Sequence, residues 1–172
     1  MWFRGRILSL VCCALLPTVP AAAAPGSATT TVTVKASVLK PLALTALQDL
    51  DFGMIVLGTG TWSGATVSVS QAGVRSCTDP NTVCSGATTV ARYQVVGTNR
   101  ETVQISAPTV TLVNQSDSTK TIPLVLSAPS TVTLPNSGNQ GVEFAVGGSM
   151  TLSSTTASGT YAGTMNVTVD YQ

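Results

Sequence analysis

The chain of 172 residues carries 8 Lys/Arg against 7 Asp/Glu, no histidine and only 9% charged residues. Without histidine the commonest general base, the usual hydrolytic triad and most zinc sites are excluded together, and without a basic run there is no electrostatic footprint for nucleic acid. The length fits one domain with a sizeable core, and 27 threonines with few Glu, Lys or Arg favour sheet over helix.

Residues 1–23 read as a secretory signal peptide. Arg4 and Arg6 supply the cationic start, Ile7 to Leu16 the apolar stretch, and Ala21-Ala22-Ala23 the small-residue cleavage pattern. The apolar stretch is too short to span a bilayer, which takes about 20 residues, so the expected product is exported and is not an integral membrane protein. Cys12 and Cys13 leave with the signal and lack the pattern of a lipid-attachment site. Removing Arg4 and Arg6 brings the net charge to about −1. Cys77 and Cys84 then form an isolated even pair, which in an oxidising compartment reads as a structural disulfide.

Period-two alternation then runs through the chain, with no helical period. Thr30, Val32, Val34, Ala36 and Val38 share one parity. Residues 24–35 read as an N-terminal arm ending near Val34, with the first strand of the domain (residues 36–172) starting near Ala36. Leu42 and Leu44 resume after Pro41, and Leu50 to Leu57 reads as a strand buried on both sides. Further short strands are centred on Val67 and Val69, Thr89 to Val96, Val103 and Ile105, Val110 and Leu112, Ile122 to Leu126, Val132 and Leu134, and Val142 to Val146. Gly147-Gly148 reads as a turn before Met150 and Leu152. Short strands divided by Gly, Pro and Asn predict an all-β, immunoglobulin-like sandwich.

No constellation carries catalysis, and the chain reads as a non-enzyme without cofactor or metal. Asp49 and Asp51 are the one close acidic pair, better explained as solvated residues beside a strand than as calcium ligands. Gly58 and Gly60 lack the following helix that a phosphate cradle needs. Trp62, flanked by Gly60 and Gly64, is the one ring expected to be exposed, and so the possible contact of a glycan.

The C-terminal run is the most regular. Gly159, Tyr161, Gly163, Met165, Val167, Val169 and Tyr171 share one face, while the alternate positions are polar apart from Ala162. So apolar a face must be covered. A glycine at the fourteenth position from the end, the alternating strand and a penultimate tyrosine resemble the C-terminal signature of chaperone–usher pilins. Leu50-Asp51-Phe52-Gly53, Gly147-Gly148 and Gly159-Thr160-Tyr161-Ala162-Gly163 resemble a related group of secreted bacterial domains near the spore-coat-U-type pilins. Many pilins bridge their first two strands with a disulfide; here no cysteine lies between residue 24 and Cys77.

The resemblance implies an incomplete, pilin-like sandwich whose missing strand is supplied in trans. The assembly groove would be bordered by the odd positions from Gly159 to Tyr171, and the donor arm would present Thr30, Val32 and Val34. Implied partners are a periplasmic chaperone, an outer-membrane usher and identical or related subunits. The implied role is a structural subunit of a fimbria or surface adhesive layer, reaching the cell surface or the medium through the periplasm. A monomeric secreted glycan-binding sandwich is the other expectation.

Overall fold

Strands form where β-branched and apolar residues alternate with Thr, Ser and Gln, because one face of each pleat can then be buried while the other stays wet. A computed structural model describes residues 26–136 and 140–172. The signal-peptide reading and the first residues of the arm lie outside them.

Thirteen strands are formed among the described residues: β1 (Ala43–Gln48), β2 (Met54–Leu57), β3 (Ser63–Val69), β4 (Arg75–Cys77), β5 (Thr82–Ser85), β6 (Ala91–Val96), β7 (Thr102–Ser106), β8 (Val110–Asn114), β9 (Thr121–Ser127), β10 (Thr131–Thr133), β11 (Val142–Ser153), β12 (Tyr161–Ala162) and β13 (Thr168–Tyr171). All ladders are antiparallel. The largest sheet runs β1-β6-β11-β9-β8-β12, with β3 also on β11 and β4 on β3. A second sheet is β10-β7-β13, and β2 and β5 form a two-stranded ribbon. The fold is therefore an all-β sandwich of curled sheets, as composition and alternation predict.

The core has two clusters. One gathers Phe52, Val67, Val69, Ile122, Leu124 and Leu152; the other gathers Val95, Val103, Ile105, Leu134, Phe144 and Val146. Tyr93 and Phe144 face each other across the β6–β11 ladder, with stacked rings and centroids 5.6 Å apart. Cys77 and Cys84 are joined, their Cα atoms 6.2 Å apart. The bridge ties the ribbon to β4, and short strands flank it on both sides where the sequence suggested only a turn.

Four details differ from the sequence reading. The first strand starts at Ala43 and not near Ala36, since Pro41 has no N–H to give a ladder. Leu50 to Leu57 is interrupted: Asp51 makes an isolated bridge to Thr89, and only Met54–Leu57 is a strand. Its outer face is exposed at Met54 and Val56, beside Val83 of β5. Gly147-Gly148 is no turn. It lies inside the continuous β11, where the strand changes neighbours from β6 to β3 and β9. A side chain at Gly147 would collide with the Val69 carbonyl oxygen, so the close approach of two backbones requires glycine there. The C-terminal run is likewise two pieces. β12 pairs with β8 and β13 with β7, so the chain crosses between sheets over residues 163–167, which form no ladder.

Residues 26–36 belong to a separate N-terminal unit. They form no strand, and all are exposed.

Candidate functional site

β1 has β6 on one side only, and β13 has β7 on one side only, so each ends its sheet with a free edge among the described residues. Both edges border the second core cluster. Leu42, Leu44 and Leu50 pack on it from around β1, and Met165, Val167, Val169 and Tyr171 from the C-terminal segment. All seven are half-buried, whereas the inward residues of the paired strands, Val95, Val103 and Val146, are fully enclosed. The contrast marks a seam of incompletely covered apolar side chains between two unpaired edges.

One end of the seam is fastened by Tyr171. Its hydroxyl donates to the Lys40 carbonyl at 2.6 Å and accepts from the Thr98 amide at 2.7 Å. Leu42, Leu134 and the Tyr171 hydroxyl converge on Gly97. The penultimate tyrosine thus bonds inside its own chain, to the stretch just before β1 and to the β6–β7 turn. The resemblance to pilins implies that Tyr171 borders an assembly groove, and nothing in the sequence pattern singles out Lys40 or Thr98.

The other end is closed. Gly159 is not an open notch: a Cβ there would lie 2.5 Å from Asn114 Nδ2 and 2.9 Å from its Oδ1, so the chain's own buried amide fills the space. Its φ of +139° also falls in a region that favours glycine. Gly163 lies against β8, with the Thr111 carbonyl oxygen 2.8 Å from where a Cβ would be. Tyr161 packs on the first cluster, and its hydroxyl donates to the Ala157 carbonyl at 2.9 Å. Of the seven odd positions, Met165, Val167, Val169 and Tyr171 border the seam; Gly159, Tyr161 and Gly163 rest on β8, its Asn114 side chain and the first cluster.

In the arm, Val32 is 80% exposed, Val34 89% and, further on, Val38 91%; Thr30 is exposed as well. Trp62 is half-buried on the first cluster rather than presented to solvent. Its Nε1–H donates to the Gly58 carbonyl at 3.1 Å, which leaves its polar group satisfied within the chain.

Charged groups keep to the periphery. Hydrogen bonds from the Thr119 hydroxyl and amide hold the Asp117 carboxyl below the usual carboxylate range, and burial, then Asp49, pushes the Tyr93 hydroxyl up. Asp51 uses its carboxylate to accept from the Gly53 amide at 2.8 Å. Among the described residues no three His, Cys, Asp or Glu side chains come together, and no helix is long and apolar enough to cross a membrane.

No curated protein and no solved structure matches the chain. Residues 42–171 match the family model described as a domain of unknown function, DUF4402, and the chain belongs to that family.

Proposed function

We propose that this DUF4402 chain is a structural subunit of a fimbria or surface adhesive layer, assembled when the extended arm of one subunit enters the seam of another. The observation that carries the reading is the pairing of unmet needs. A period-two apolar arm has no cover for Val32 and Val34, and two free sheet edges flank half-covered leucines, valines and a methionine. An inserted strand would hydrogen-bond to an unpaired edge and place alternate side chains on the exposed part of the core, the logic of strand addition.

On this reading the protein is exported, and a periplasmic chaperone and an outer-membrane usher hold and deliver the subunit. The half-burial and internal hydrogen bond of Trp62 give the ring-centred glycan reading no support.

Deletion of residues 26–34 tests the proposal. The expected product is a folded monomer that forms no ladder resistant to SDS on an unboiled gel, while the unmodified protein does. Unmodified protein that stays monomeric at high concentration and is indifferent to the deletion overturns the reading.

A further inference from the structure

We propose that the cleft between the β8–β9 turn and the segment following β11 binds an acidic sugar residue. The cleft has a volume of about 310 Å³, at the lower end of ligand sites, which run from about 300 to 1,000 Å³. That suits one sugar ring rather than an extended oligomer. Five aliphatic hydroxyls line it, Thr119 and Thr121 on one wall and Ser153, Thr155 and Thr156 on the other. Thr119 donates to Asp117, Ser153 bonds Thr155 and Thr156 accepts from the Ser153 amide, so what these hydroxyls offer a ligand is chiefly their remaining accepting capacity. Accepting oxygens match the O–H donors of a pyranose. Tyr161 is also in the lining, half-buried on the first cluster with its hydroxyl donated to the Ala157 carbonyl.

The charge comes from Lys120, also in the lining. Among the described residues the one ion pair is Arg92 with Glu143, so the Lys120 ammonium has no carboxylate within salt-bridge distance. Asp117, the nearest acid along the chain, takes hydrogen bonds at Oδ1 from the Thr119 amide at 3.0 Å and hydroxyl at 2.7 Å, feels the Lys120 charge as the smallest of the influences on it, and is not part of the lining. One cation among neutral hydroxyls favours a carboxylate carried on a polyol. Inorganic phosphate is better served by an arginine fork or several cations.

The two walls are held together without a ligand. Asn114 is buried; its Nδ2 donates to the Ser158 carbonyl at 3.0 Å, and its Oδ1 accepts from the Ser116 and Asp117 amides at 2.9 and 3.2 Å. The Gln115 amide donates to the Thr160 carbonyl at 2.8 Å. Behind the second wall, the Ser154 amide and hydroxyl donate to the Trp62 carbonyl at 3.1 and 3.2 Å. A pre-formed cleft loses little freedom on binding, so a few weak hydrogen bonds suffice for millimolar affinity. The site shares only Tyr161 with the C-terminal pattern and stands whether or not the chain polymerises.

Two sources offer such groups, uronate-containing polysaccharides and sialylated glycans. Titrating the purified protein with sodium glucuronate and with N-acetylneuraminate separates them, read by amide shifts in ¹H–¹⁵N spectra. Glucose and inorganic phosphate serve as controls. Saturable shifts confined to the two walls are expected for at least one acid, with glucose weaker by about tenfold. Lys120→Gln should weaken the acid by about tenfold, the loss of one charge-assisted contact, and leave glucose unchanged. Thr155→Val with Thr156→Val should weaken both sugars. Phosphate binding as tightly as the acids, an absence of shifts with either acid, or unchanged acid affinity in Lys120→Gln would each overturn the proposal.

Discussion

Replacing Val32 and Val34 together by serine isolates the arm's contribution to assembly. Both side chains are almost wholly exposed within their own chain, so nearly all of their apolar surface is available to a partner. Full burial of a valine stabilises by about 1.5–3 kcal/mol. Losing two therefore removes about 3–6 kcal/mol from the inserted state, before the added cost of burying two hydroxyls. At about 1.4 kcal/mol per factor of ten, the subunit–subunit equilibrium weakens by roughly a hundredfold to ten-thousandfold. The stability of the separate subunit should hardly move, within about 0.5 kcal/mol, because neither valine is packed inside it. Size-exclusion chromatography and unboiled SDS gels read assembly, and urea melts of the monomer read stability. Ladders as long as those of the unmodified protein would refute the role given to these side chains. A monomer that melts well below the parent would instead show that they are packed within the chain.

Tyr171→Phe keeps the ring but takes the hydroxyl from the half-buried Thr98 amide and from the exposed Lys40 carbonyl, which can turn to water; a loss of about 0.5–1.5 kcal/mol is expected in a urea melt. Gly159→Ala forces a Cβ into a positive-φ backbone beside the Asn114 amide and should destabilise by about 1–3 kcal/mol from backbone strain alone. Adding Asn114→Ala should not restore the parent's melting point, because the strained φ remains. Replacing Cys77 and Cys84 together by serine opens a loop of seven-residue separation and should cost about 2.5 kcal/mol on the chain-entropy account, against no change if the loop is already stiff.

Much of the fold could be read from the chain because sheets advertise themselves locally. Val67, Val69 and Val103 each stand between two polar neighbours, and each is fully buried. Which strand pairs with which depends on contacts distant in sequence, and there local pattern fails. Gly147-Gly148 has the composition of a turn, and only the proximity of Val69 explains why glycine sits inside a strand. The C-terminal odd positions are inward as alternation requires, yet nothing local says that the run changes sheets near Gly163. The seam was legible on its C-terminal side; its other side, Leu42, Leu44 and Leu50, carries no distinctive spacing. The polar cleft was invisible for a plainer reason, since threonine is everywhere in this chain and only folding selects the few that converge.

The continuous strand Val142–Ser153 has a consequence for the history of each molecule. It is the shared partner of β6, β3 and β9, yet it lies later in the chain than all three. A polypeptide delivered from its N-terminus must therefore expose three sets of strand edges, and most of one core, until residues 142–153 arrive. Closing contacts over such separations is slow, and the waiting intermediate presents the surfaces on which aggregation begins. Truncation anywhere before β11 should yield insoluble material rather than a smaller folded domain, and the period of greatest vulnerability ends when that one strand docks.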